Sequence, residues 1–96
     1  MALRTTWLIT SVHLDYFDDE VGTMGPMHCN LTAAEVRAHP DRARFRMYDD
    51  DGIHYYSGLI VEDPDASGFE PLEDFGMPNA GCTRIDYLEG GKWQTL

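Results

Sequence analysis

The stretch RFRMYDDDGIHYYSGLIV, residues 44–61, decides the fold. It divides into two strand-like runs, 44–48 and 53–61, on either side of the acidic string DDDG at 49–52. Asp51-Gly52 is strong hairpin-turn chemistry, because glycine takes a positive φ without steric cost. The second run is apolar on both alternation phases, the pattern of a central strand covered on two sides. Gly58 in its interior predicts a bulge or a sharp bend.

Working outward, TTWLITSVHL at 5–14 is β-branched and aromatic and reads as a first strand. The acidic stretch 15–20 follows, and VGTMGP at 21–26 is loop chemistry. In LTAAEVRAHP, Thr32 and Glu35 have the spacing of a capping box, with Leu31 and Val36 at the positions of a hydrophobic staple. Pro40 disfavours helix at His39, so this helix has about two turns and must dock to be stable. Residues 62–81 are rich in proline and glycine. A single helical turn is expected at 71–75, with Pro71 first, Glu73 and Asp74 early, and Gly76 closing it. Residues 82–88 and 92–96 then form a second hairpin around Gly90-Gly91, placing Glu89 opposite Lys92 and Leu88 opposite Trp93. The expectation is a single mainly β domain over 1–96: five strands and one short α-helix in a bent antiparallel sheet or small, partly open barrel. A barrel would close most simply by pairing its terminal strands, 5–9 with 92–96.

The chain is 96 residues long, one domain's worth, and can hide roughly 60–65% of its unfolded surface. Hydrophobic residues make up 43% and aromatics 11%, which supplies a core and excludes compositional disorder. No apolar run approaches the roughly 20 residues of a membrane span, and no signal-peptide pattern opens the chain. A cytoplasmic protein is expected. Cys29 and Cys82 fit a reduced environment better than a disulfide framework, although one bridge between them stays open. Seventeen acids face seven bases, a net charge of −10. That balance argues against direct binding to nucleic-acid phosphates or to anionic membranes, and selects a basic partner.

Motifs for chemistry fail on inspection. An EF-hand reading that puts Gly52 at loop position 6 places Met47 at position 1 and Gly58 at position 12, neither of which ligates calcium. Zinc would draw on His13, His28, Cys29, His54 and Cys82, but no paired C-x₂₋₄-C or H-x₃₋₅-H step occurs. Cys82 near Arg84 and Cys29 beside His28 are the only hints of an activated thiol, in a chain whose field is negative. Ser11, Ser57 and Ser67 stand in no nucleophile-elbow pattern, and Gly90-Gly91-Lys92 lacks the rest of a phosphate loop. No catalytic, cofactor-binding or metal-binding residue is assigned.

One surface does invite a functional reading. Phe69, Leu72 and Phe75 fall at i, i+3 and i+6 among Glu62, Asp63, Asp65, Glu70, Glu73 and Asp74. No Lys or Arg occurs between Arg46 and Arg84. The plain explanation is an apolar plug under a solvated acidic rim. The functional one is an acidic patch with Phe69 and Phe75 as aromatic anchors. Joined to Asp49, Asp50 and Asp51 of the hairpin tip, it would form one continuous negative face for a basic protein partner.

The stretches VGTMGP, LTAAEVRAHP, RFRMYDDDG, YYSG, GFEPLEDFGMPNAGC and GGKW together resemble small bacterial reading frames of unknown function from high-GC actinobacteria and mobile elements. That resemblance covers most of the chain. It implies a bacterial or phage source and attaches no activity, cofactor or catalytic residue. Three functions are therefore carried forward. The first is a non-enzymatic acidic interaction module. The second is a nucleic-acid mimic that inhibits a DNA-handling enzyme, of anti-restriction or anti-CRISPR type. The third is a small enzyme or metal protein.

Overall fold

The computed structural model describes residues 5–13, 20–26, 29–64 and 66–96. The strands are β1 (Thr6–Val12), β2 (Met24–Gly25), β3 (Ala43–Tyr48), β4 (His54–Val61), β5 (Arg84–Glu89) and β6 (Lys92–Thr95). The helices are α1 (Ala33–Ala38) and α2 (Met77–Ala80), the latter continuing a π-helical turn at Leu72–Gly76. All six strands join one open antiparallel sheet in the order β2-β1-β4-β3-β5-β6. No helix among the described residues is long and apolar enough to cross a membrane.

The central hairpin forms as its composition dictates. β4 lies between β1 and β3, with Ile60 paired to both Trp7 and Ala43. At the tip, the Asp49 carboxylate accepts from the backbone N–H of Asp51 at 2.9 Å and of Ile53 at 3.0 Å, and Gly52 takes φ +78°. Gly58 is needed for closeness: a Cβ there would run into the Leu8 carbonyl oxygen and the Phe45 ring. Two irregularities flank this region: β1 carries an extra residue between Ile9 and Ser11 opposite Gly58 and Ser57, and β4 carries one at Tyr55, between His54 and Tyr56 opposite Tyr48 and Met47.

Three expectations are corrected. The sheet has six strands, because Met24 and Gly25, read as loop, pair with Leu8 and Trp7. Two residues carry no periodicity, so only the tertiary neighbour reveals such a strand. The sheet does not close into a barrel. β6 pairs only with β5, and β1 is separated from it by β4, β3 and β5. The edges stay short instead, at two residues in β2 and four in β6, which limits what they offer to another chain. Finally, the helical run that begins near Pro71 does not stop at Gly76. It continues to Ala80 and ends at Gly81, whose φ is +71°. Gly76 is helical and small for packing, since a Cβ there would sit 2.6 Å from Met47 Sδ.

Alternation along the strands sorts residues to two faces. One carries Trp7, Ile9, Phe45, Met47, Tyr56, Ile60, Ile85 and Tyr87, all buried beneath Leu72, Phe75 and Cys82 from the connection between β4 and β5. The other carries Leu8 and Val61, which pack with Val36 of α1 and with Leu31, Ala33 and Leu59. The capping box that starts α1 is present: Thr32 N–H donates to Glu35 Oε1 at 2.9 Å, and Glu35 N–H to Thr32 Oγ1 at 3.2 Å. α1 is six residues long and covers only one end of its face. The rest of that face, from Ser57 across Arg46 to Thr95, has no layer above it among the described residues.

Candidate functional site

The predicted acidic residues separate into two groups. Asp49, Asp50 and Asp51 precede the first residue of β4, whereas Glu62 and Asp63 follow its last. The eight residues of β4 span about 26 Å. Only part of the set is brought together, at the Glu62 end. Asp65 lies outside the described residues, as do Leu14, the acids at 15, 18 and 19, and His28.

Several of these acids have structural tasks. Asp49 is consumed by its turn, and the Ile53 N–H holds its carboxyl below the ordinary range. Burial alone would raise the Glu70 carboxyl. The N–H groups of Ser67 and Gly68 and the Ser67 hydroxyl outweigh burial and lower it, at 2.9, 2.9 and 3.0 Å. Asp74 accepts from the Trp7 indole N–H at 3.1 Å. Glu73, Asp50 and Asp51 are exposed. The two phenylalanines face inward: Phe75 is 5% exposed, with its ring centroid 4.9 Å from that of Tyr56 and 5.4 Å from that of Trp7. Phe69 packs partly buried against the same core. They hold the connection onto the sheet.

A small cavity of about 250 Å³ opens at the Glu62 end. Ala43, Ile60, Tyr87, Leu88 and Leu96 supply apolar wall, while Asp41, Glu62 and Glu89 stand among its lining with no base. Burial, together with Glu70, Asp63 and Glu89, pushes the Glu62 carboxyl above the usual carboxylate range. Below it, the buried Tyr87 hydroxyl donates to the Gly68 carbonyl at 2.7 Å, which anchors the loop over the cavity. Asp41, Glu89 and Leu96 were not singled out from sequence. Asp41 and Glu89 come to Glu62 from segments distant in the chain, so no local spacing marks the set.

The uncovered part of the second sheet face carries a different chemistry, also missed. Arg44 and Arg46 alternate on β3, and their guanidinium carbons lie 5.7 and 4.0 Å from the centre of the Trp93 ring. Four side chains, from β3, β4, β5 and the residue that follows β1, stack in sequence at one end. The rings of His13 and His54 are 3.9 Å apart, those of His54 and Tyr48 are 5.0 Å apart, and Arg84 sits 4.0 Å over Tyr48. Ser57 Oγ lies 3.1 Å from His13 Nε2 and 3.0 Å from His54 Nε2. Buried Asp86 accepts from Thr95 Oγ1 at 2.8 Å. Its contact with Arg84 is an ion pair of 3.2 Å from Nε, lacking hydrogen-bond geometry, and a longer bond of 3.4 Å from Nη2.

Cys29 and Cys82 are free thiols, and burial pushes the Cys82 thiol up to about 11. That thiol is protonated at neutral pH and unsuited to nucleophilic attack. Among the described residues no group of three or more His, Cys, Asp or Glu side chains is arranged to hold a metal ion. Comparison with protein-family models, curated proteins and solved structures found no match.

Proposed function

We propose that the protein is a non-enzymatic interaction module that binds a basic segment of a partner protein through the acidic cavity beside Glu62. The observation that carries this reading is that Asp41, Glu62 and Glu89 line an opening with apolar walls and that no Lys or Arg stands in that lining. Carboxylates held close together repel one another, and an inserted cation relieves that repulsion. A Lys or Arg side chain suits both halves of the cavity. Its aliphatic stem lies along Ile60, Leu88 and Leu96, and its charged head meets Glu62 and Glu89. At about 250 Å³ the cavity is smaller than the roughly 300–1,000 Å³ of most small-ligand sites, which suits one side chain.

A nucleic-acid mimic would present carboxylates in rows across a single face. The distance between the hairpin tip and Glu62, and the arginines on the uncovered sheet face, weigh toward the module. The test is a titration with a lysine- and arginine-rich peptide, followed by NMR at Tyr87 and Leu96. Binding should weaken with added salt and fall about tenfold in a folded Glu62→Lys variant, since a charged hydrogen bond turns into repulsion. Unchanged affinity in that variant would sink the proposal.

A further inference from the structure

We propose that the uncovered sheet face binds the phosphate monoester of a small organic molecule, in the groove formed by Arg37, Arg44, Arg46, His13, His54 and Trp93. In a chain with seventeen acids and seven bases, arginines ordinarily find carboxylates. Here Arg37, Arg44 and Arg46 make no ion pair among the described residues, and the one ion pair of that set belongs to Arg84. Antiparallel alternation puts Arg44 and Arg46 on the same side of β3, and the exposed end of α1 adds Arg37. Three like charges share one groove of about 490 Å³, which a dianion would neutralise.

The groove is also organised in advance. Trp93 lies beneath both β3 guanidinium groups, leaving their N–H forks to be shared by one tetrahedral anion. At the other side Ser57 bridges two stacked imidazoles. Both rings and Ser57 line the same opening. Burial, with His13 and Arg46 beside it, holds the His54 imidazole below its ordinary value, so a bound dianion would favour its protonation. The groove is larger than an inorganic phosphate requires, and Leu59 and the indole of Trp93 provide apolar surface for an organic body. This site lies across the sheet from the Glu62 cavity and is independent of it.

The experiment is NMR titration of the full chain with phenyl phosphate at physiological salt, with phenol and inorganic phosphate alongside. The two tryptophans make the readout internal: Trp93 lines the groove, whereas the Trp7 indole is bonded to Asp74 on the opposite face. Saturable movement of the Trp93 indole resonance is expected, with the Trp7 resonance unmoved. Arg44→Gln, at an exposed position, should weaken binding about tenfold by removing a charge-assisted hydrogen bond. Glu62→Gln should leave it unchanged. Arg37→Gln, also exposed, provides a second variant should Arg44→Gln not fold. Absence of a saturable shift in the wild-type chain overturns the site without recourse to any variant. So does an equal response to phenol, and equally tight binding of inorganic phosphate overturns the monoester assignment.

Discussion

On one side of the sheet, Trp7, Phe45, Met47, Tyr56 and Ile85 lie beneath Leu72, Phe75 and Cys82; on the other, beyond α1, Arg44, Arg46, His54 and Trp93 lie beneath no element among the described residues. The same strands supply both. β3 alternates between them residue by residue, with Phe45 and Met47 turned to the covered side and Arg44, Arg46 and Tyr48 to the uncovered one. The contrast separates two ways of holding a side chain still. The covered side uses contact on every surface of the group. The uncovered side uses ring-to-cation and ring-to-ring stacking, which fixes orientation while leaving polar atoms facing water.

Breaking the comparison at adjacent positions of β3 should produce the largest difference. Phe45→Ala empties a fully buried site and should cost about 3–5 kcal/mol of stability by chemical denaturation. Arg46→Ala, its neighbour in sequence, loses one stacking contact and should cost no more than about 1 kcal/mol. Equal costs would mean that the uncovered face is as much a core as the covered one. At the edge of α1, Thr32→Ala removes the oxygen that accepts from Glu35 N–H and should cost about 1 kcal/mol. Calorimetry that finds an unchanged melting temperature would detach α1 from the stability of the face it covers.

The smallest effect concerns pH. Burial, His13 and Arg46 hold His54 below its ordinary 6.5, against the Tyr56 carbonyl and Asp86. Tyr48 and Ser57 are its other close neighbours. The unfolded chain therefore takes up this proton before the folded one does. Stability from this group is present above pH 6.5 and declines as pH falls from there toward the lower folded value. Glu62, raised by burial and neighbouring acids, has the opposite sign: its ionisation penalises the folded state once pH rises through its folded value. His54→Gln should flatten the decline of melting temperature between pH 6.5 and 5, and Glu62→Gln should raise the melting temperature slightly at pH 7. A decline that persists unaltered in His54→Gln would assign it to carboxylates elsewhere.

Much of the secondary structure was legible because its causes are local. Asp51-Gly52 specifies a tight turn, Thr32 and Glu35 complete each other's hydrogen bonds, and Gly90-Gly91 sets Leu88 opposite Trp93. The candidate sites were legible only in fragments. Glu62 and Glu70 were marked by the charge of their segment, but Asp41, from the turn before β3, and Glu89, from β5, join Glu62 from elsewhere in the chain. Phe69 and Phe75 looked like anchors for a partner because their spacing is that of any amphipathic turn, and such spacing does not say which side is inward. Arg44 and Arg46 alternate visibly in the sequence, yet their significance depends on Trp93, 47 residues beyond Arg46.

By itself the sequence determined the antiparallel hairpins, the start of α1, the centrality of residues 53–61 and the excess of negative charge. Each follows from neighbours within a few residues or from simple composition. The tertiary structure decided the strand order, the open edges in place of a closed barrel, and the extension of the second helical segment to Gly81. It also decided the separation of charge into an acidic cavity at one end and a basic groove across the sheet. Those outcomes depend on which strands meet, and strand pairing is selected by packing between residues far apart in the chain. A hydrophobic pattern states that a face must be covered; it does not name the segment that covers it.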